Sequence, residues 1–466
     1  MTAITFGTSG WRAILAEDFT FANARRVVTA VAGVLEEDGK KGQLLLVGYD
    51  TRFLAGRFAA DAARVLEREG FHAEVSARPV PTPVLAFEIR RRGAAGALNF
   101  TASHNPAQYL GIKFSTSDGA PALPELTRRL EERIAQISEV RVPARDEVST
   151  FDPVQAYFSD LASKAAPADV GRGKPHFCLD FRYGTSAGFL DTYLAAAGAG
   201  LTRLNDKADP LFGGESPQCG EKELVRLGEE VRRRGARLGL SCDGDADRFG
   251  VCDALGAYVQ PNQLLALLLW DLLSRKGRRG GVARSVATTH ALDAIAARFG
   301  VPLYETPVGF KYIGEKLIAG EIVFGAEESA GLTVEGHVPE KDGILADLLV
   351  AEMVGATRKS LGELSADLAR EIGPYFSRRL DLALAPEARQ ALSRRRASPP
   401  ERLAGRKVAS VNPLDGMKLL LEDGSWILVR ESGTEPVARV YAEARTLEDA
   451  VSLARAAREI VEGLRP

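Results

Sequence analysis

Short apolar runs of strand length alternate with amphipathic runs of helix length along most of this chain, and that rhythm constrains its fold more than any other feature. Residues 44–49 form an apolar run ending in the turn Asp50-Thr51-Arg52, and residues 58–69 then carry helical spacing up to Gly70. Residues 73–77 read as the next strand, 79–83 as a proline-rich loop, 84–92 as a helix closed by Gly93, and 95–100 as a strand. This order predicts a mostly parallel sheet with helices on both faces. It restarts after the polar, proline-spaced stretch 138–153, with strands at 177–181 and 237–242, and again with strands at 281–289 and 321–324. From Gly373 the character changes: 408–412, 417–421, 425–429 and 438–443 read as short antiparallel strands, with a turn at Asp423-Gly424 and a last helix at 447–464. The expected fold is therefore three α/β units with mixed, mostly parallel sheets plus a smaller C-terminal α+β domain around a central cleft. The expected domains are 1–148, 149–254, 255–372 and 373–466.

A chain of 466 residues allows about two to four domains. With 45% apolar and 26% charged residues it can bury several cores, which excludes a disordered chain, a disulfide mini-scaffold or a fibre. Sixty Lys and Arg against 62 Asp and Glu leave a net charge of −2, so neither nucleic acid nor a membrane surface is an expected partner. Four cysteines without a C-x-x-C pair exclude zinc and redox motifs, and Cys178, Cys242 and Cys252 in apolar runs read as buried thiols. Residues 1–12 show no signal-peptide pattern, and the apolar stretch 264–270, ended by Asp271, is too short for a bilayer. A cytoplasmic protein is expected, monomeric or homodimeric.

Four segments carry chemistry, each where a strand is expected to end, the place where ligands gather in open α/β sheets. In Thr101-Ala102-Ser103-His104-Asn105-Pro106 a serine sits in a tight turn beside a histidine, with Lys113 a short hairpin later. A serine hydroxyl needs a base or a metal to become a nucleophile, and the segment alone reads equally as a turn of capping residues. In Asp243-Gly244-Asp245-Ala246-Asp247-Arg248 the alternating carboxylates share one side of an extended segment and repel one another unless a hard cation sits among them. An EF-hand is excluded, because its sixth and twelfth positions would be Arg248 and Ala254. Gly325-Ala326-Glu327-Glu328-Ser329-Ala330-Gly331 places a carboxylate and a hydroxyl to bridge sugar hydroxyls, or equally an acidic helix cap. Arg430-Glu431-Ser432-Gly433-Thr434-Glu435-Pro436 joins arginine, hydroxyls and open backbone into an anion pocket suited to phosphate. A further arginine, Arg12, lies in the glycine turn Thr8-Ser9-Gly10-Trp11-Arg12.

Together these segments resemble the α-D-phosphohexomutase family of phosphoglucomutases, phosphomannomutases and phosphoglucosamine mutases. The resemblance spans essentially the whole chain, with one motif in each expected domain and in the family's order. Ala326 stands where the family usually has glycine, and Ala330-Gly331 follow the serine, departures that bear on sugar preference.

The resemblance implies that Ser103 carries a phosphoryl group, donates it to a hexose monophosphate to form a 1,6-bisphosphate, and takes the other phosphate back. It implies Mg²⁺ at phosphorylated Ser103 and Asp243, Asp245 and Asp247, with glucose 1,6-bisphosphate as primer. Arg12, Lys113, His104 and Arg248 are expected around the reacting phosphate. Lys113, with a pKa lowered by neighbouring cations, is the first candidate for general acid/base, and His104 is the second. Gly309 and Lys311 join Glu327 and Ser329 at the sugar, and Arg430, Ser432, Gly433 and Thr434 at the non-reacting phosphate. Hexose phosphates are the expected partners, with glucose preferred and mannose second. A phosphoglucosamine mutase is the alternative within the family, and a metal-dependent sugar phosphatase the alternative outside it. A silent sugar-phosphate sensor would need neither Ser103 nor the three aspartates.

Overall fold

The computed structural model describes residues 4–7, 10–140, 147–384, 392, 394, 396, 398–431 and 437–462. Its first sheet holds β1 (Trp11–Ile14), β2 (Leu44–Tyr49), β3 (His72–Ser76), β4 (Gly96–Phe100), β5 (Tyr109–Thr116) and β6 (Ser149–Phe151), in the order β1-β5-β4-β2-β3-β6. The second holds β7 (His176–Asp180), β8 (Gly200–Leu204), β9 (Leu238–Cys242), β10 (Phe249–Cys252) and β11 (Tyr258–Val259), in the order β11-β10-β9-β7-β8. The third holds β12 (Gly281–Ser285), β13 (Leu303–Thr306), β14 (Ile322–Glu327) and β15 (Gly331–Val334), in the order β13-β12-β14-β15.

The three share one winding. In each, three central strands run parallel and the last of them turns back as an antiparallel hairpin: β4 into β5, β9 into β10, β14 into β15. The first three chemical segments are the turns of these hairpins rather than loops leading from strand to helix. Glu327 is thus the last residue of β14, and the strand expected over 281–289 stops at Ser285. Each turn contains one non-glycine residue in the left-handed region, with φ of +50° at Ser103, +57° at Ala246 and +64° at Ala330. Such backbone is costly and persists only where neighbours over-determine it.

The C-terminal unit is an antiparallel sheet of β16 (Phe376–Ala383), β17 (Arg402–Leu403), β18 (Arg406–Asn412), β19 (Met417–Leu421), β20 (Trp426–Glu431) and β21 (Val437–Ala444), in the order β16-β21-β20-β19-β18-β17. Strand β20 is buried on both faces. Ile427 and Val429 pack into the unit's own core, whereas Trp426 and Leu428 pack on Val286 and Ala287 of the third unit. The period of two therefore turns Arg430 toward the third unit as well.

Helix Gly343–Thr357 buries twelve of its fifteen residues, so it lies inside the molecule between the second and third sheets, not on its surface. The apolar stretch 264–270 lies in the buried helix Pro261–Ser274. Among the described residues no helix is long and apolar enough to cross a membrane. All four cysteines are buried and free.

Candidate active site

The first two turns meet face to face. Pairing of β4 with β5 sets Lys113 opposite Asn99, behind the serine turn. Ser103, 1% exposed, takes its backbone N–H to Thr101 Oγ1 at 2.9 Å and donates from Oγ to Asp243 Oδ2 at 3.2 Å, with His104 Nδ1 at 3.4 Å. Asp243, Asp245 and Asp247 are buried, and each offers a carboxylate oxygen within 4.8 Å of the others. All three α/β units pin their loop. Thr82 N donates to Asp245 O at 2.9 Å from the first, Gly244 N to Pro217 O at 3.0 Å within the second, and Gly343 N of the third to Ala246 O at 3.0 Å.

Cations surround the carboxylates. Lys113 Nζ lies 2.6 Å from Asp245 Oδ2 and 2.9 Å from Asp247 Oδ2, and Lys341 Nζ lies 3.2 Å from Asp247 Oδ2. Arg248 donates its backbone N–H to Asp243 Oδ1 at 3.1 Å, and Arg12 Nη1 donates to Asn105 Oδ1 at 2.6 Å beside the serine. Burial together with Asp247 and Asp245 pushes the Asp243 carboxyl well above its usual range. Burial acts on Asp247 in the same direction, but Lys113, Lys341 and Arg248 outweigh it and hold Asp247 well below.

Lys113 departs from expectation. Burial and the nearby Lys341 lower its pKa, yet Asp245 and Asp247 more than offset them and raise it, because the β5 register aims the ammonium at these carboxylates. His104 is pushed well below its usual value by burial and by Arg248 and Arg12, so it is a neutral imidazole.

Magnesium suits this pocket by two observations. The donors are all hard oxygens, and the buried Asp245 Oδ1 and Asp247 Oδ1 have no hydrogen-bond partner.

The third turn joins the same space. His104, Asp243, Arg248 and Ser329 line one cavity of about 140 Å³. Glu327 Oε1 accepts the Gly309 N–H at 2.7 Å, and burial with Glu328 raises its pKa to about 7. Gly309, at φ +133°, leads into helix Phe310–Ile318, where Lys311 is half-buried in the first turn with its pKa lowered by burial. Arg430 sits apart from the serine cluster. Its Nη2 lies 3.2 Å from Asp415 Oδ2, the oxygen that also accepts the Val308 N–H at 3.0 Å. Ser432, Gly433 and Thr434 lie outside the described residues.

Sequence reading missed Lys341, Thr82 and Asp415. Thr82 Oγ1 donates to Asp245 Oδ2 at 2.6 Å. Lys341 stands before Asp342, whose side chain caps helix Gly343–Thr357, and nothing local ties either residue to the aspartate turn.

Three like-wound α/β units meeting at a serine–aspartate centre, with an antiparallel C-terminal unit docked on the third, define an enzyme of the phosphomutase kind. Family descriptions agree unit by unit: phosphoglucomutase/phosphomannomutase α/β/α domain I matches residues 3–141, domain II 155–256, domain III 260–372 and the C-terminal domain 387–460. A phosphoglucomutase/phosphomannomutase of Thermococcus kodakarensis is 28% identical over 96% of this chain and 95% of its own. A probable phosphoglucosamine mutase of Methanothermobacter thermautotrophicus is 31% identical over 96% and 95%. The crystal structure of a candidate phosphomannomutase from Thermus thermophilus is 34% identical, covers 99% of this chain and 100% of its own, and superposes with a TM-score of 0.88. The chain belongs to the phosphoglucomutase/phosphomannomutase family.

Proposed function

We propose that this enzyme interconverts hexose 1-phosphates and hexose 6-phosphates through a phosphorylated Ser103 and a 1,6-bisphosphate, with glucose preferred and mannose second. The observation that carries the reading is the buried Ser103 hydroxyl 3.2 Å from Asp243, one of three clustered aspartates of which Asp245 and Asp247 each keep a buried oxygen without a hydrogen-bond partner. Transfer between a serine and a sugar hydroxyl is nearly isoenergetic, so positioning and charge neutralisation are what the protein must supply. Asp243, Asp245 and Asp247, with an oxygen of phosphorylated Ser103, would hold Mg²⁺, which when bound would offset the negative charge of the phosphoryl group.

Arg12, Arg248 and Lys341 add positive charge around that group. As the P–O bond to Ser103 breaks and the bond to the sugar oxygen forms, the sugar hydroxyl loses its proton and the serine oxygen gains one. Lys113 is engaged by two carboxylates, whereas His104 is neutral and 3.4 Å from the serine oxygen, which makes His104 the freer group to carry that proton. Gly309, Lys311, Glu327 and Ser329 bind the sugar, and Arg430 with Ser432, Gly433 and Thr434 binds the distal phosphate. An amino-sugar phosphate is the second reading of the substrate, favoured by the 31%-identical relative's name.

The test is turnover on glucose, mannose and glucosamine 1-phosphates with Mg²⁺ and trace glucose 1,6-bisphosphate, following 6-phosphate and free phosphate separately. A 6-phosphate is expected, with kcat/KM highest for glucose. Free phosphate alone would make the enzyme a phosphatase and overturn the proposal.

A further inference from the structure

The serine turn is held by a side chain that takes no part in the chemistry above. Arg52 follows β2, the parallel strand next to β4, and is 4% exposed. Its Nη2 donates to Ser103 O and Asn105 O, both at 2.6 Å, and its Nη1 to Pro106 O at 2.8 Å and Tyr109 O at 3.0 Å. Asp50 orients it, with Oδ2 accepting from Arg52 Nε at 3.1 Å and Oδ1 from Arg52 N at 2.9 Å. On the far side the guanidinium lies 4.9 Å from the ring centre of Phe212, a residue of the second unit. All five guanidinium N–H donors of this arginine thus point at the serine turn or at Asp50.

The second unit repeats the device at the same place in its winding. Asp180-Phe181-Arg182 follows β7 as Asp50-Thr51-Arg52 follows β2, and Arg182 N again donates to the aspartate Oδ1 at 2.9 Å. Arg182 Nη2 reaches Ser216 O at 2.6 Å, and the next residue's carbonyl, Pro217 O, receives Gly244 N of the aspartate turn at 3.0 Å. Two clasps of one design therefore hold the two turns that face each other across the reacting centre.

We infer that Arg52 is a positioning residue of the transfer, which by clasping four carbonyls keeps Ser103 in its left-handed conformation with the hydroxyl aimed at Asp243. A planar fork meets several carbonyls at fixed angles, and a lysine ammonium cannot reproduce that array. Loss of the clasp displaces the serine oxygen without removing a substrate contact, and a misplacement of about 1 Å costs on the order of 100-fold in rate.

The inference rests on the mutase reading for its kinetic arm, so the test has a second arm that does not. Full-length Arg52→Lys is compared with the unaltered protein for kcat and KM on glucose 1-phosphate, and for amide hydrogen exchange at residues 101–109. The expected result is a kcat lower by about 100-fold, KM within about threefold, and faster exchange confined to that turn. Phe212→Leu, which removes the ring beneath the guanidinium and keeps an apolar side chain in its place, is expected to lower kcat by about tenfold in the same pattern, and it decides the matter if Arg52→Lys does not fold. Unchanged exchange at 101–109, an unchanged kcat, or loosening spread over the whole chain would overturn the clasp. If the unaltered protein forms no 6-phosphate while Arg52→Lys still loosens only this turn, the mutase reading falls and the clasp stands.

Discussion

The serine–aspartate side of the cleft and its Arg430 side are built differently. On the first, backbone hydrogen bonds from all three α/β units converge on the aspartate loop, and three turns hold non-glycine residues at positive φ. On the second, the C-terminal sheet docks on the third unit through side chains. Lys418 reaches Val286 O and Glu305, Glu443 takes the His290 N–H, and Asp415 takes the Val308 N–H. Backbone bonds between strands and turns leave little freedom, whereas side-chain bonds can be exchanged at modest cost. The contrast suits the proposed reaction, in which phosphoryl transfer at Ser103 needs fixed geometry while the other side has only to bind the sugar phosphate.

The contrast breaks most sharply at Ser103. Ser103→Ala is expected to lower turnover by at least about 10³-fold while calorimetry finds sugar-phosphate affinity within a few-fold of the unaltered protein. Retained turnover would remove the distinction between a reacting side and a binding side. Nearly as large an effect is expected from divalent-ion removal. Chelation should stop the reaction and Mg²⁺ restore it, and Asp245→Asn should raise the Mg²⁺ concentration for half-maximal rate by at least about tenfold. A rate indifferent to chelator would deny the aspartates their cation.

Which parts could be read beforehand follows the same division. Middle strands such as 44–49 and 238–242 were legible because they are continuous apolar runs, whereas the parallel edge strands Gly200–Leu204 and Leu303–Thr306 were not read. The return strands were not: Tyr109–Thr116 and Phe249–Cys252 directly follow chemical motifs and look like parts of their loops, and Phe376–Ala383 alternates charge with apolar residues at an exposed edge. The aspartate turn was legible because its three carboxylates are nearly consecutive. Arg52, Thr82, Lys341 and Asp415 reach the site from distant strands and helices, and only the shared winding brings them there. Lys113 shows the cost of reading a residue without its register, since a lysine expected among cations proves to be clamped between two carboxylates.

Arg430→Ala sharpens the comparison from the other side. The arginine faces the third unit from a buried strand, and on the proposed reading it binds the distal phosphate, so its loss should raise KM with kcat little changed. The expected cost is about 1–3 kcal/mol of substrate binding, as for a lost charge-assisted phosphate contact. A fall in kcat comparable with that of Ser103→Ala would show that the two sides are not separable.

An effect on stability alone, with no change in substrate binding, concerns the docking of the C-terminal sheet itself. Lys418 is buried beneath Trp426, with Nζ 4.5 Å from the ring centre, 2.7 Å from Glu305 Oε1 and 2.9 Å from His290 Nε2. Burial and the neighbouring Arg284 lower its pKa from 10.5 to about 8, against the pull of Glu305. Below that value both folded and unfolded chains carry the proton. From about 8 to 10.5 the unfolded chain holds a proton that the folded chain has released, so stability rises with pH across this window and levels off above it. The unaltered protein should therefore gain on Lys418→Met by up to about 1.4 kcal/mol per pH unit between pH 8 and 10, read from thermal unfolding of both proteins across that range. A difference that stays flat with pH would mean that Lys418 keeps its proton in the interface, making the docking of the C-terminal sheet a permanent ion pair with Glu305 and no more easily exchanged than the contacts around Ser103.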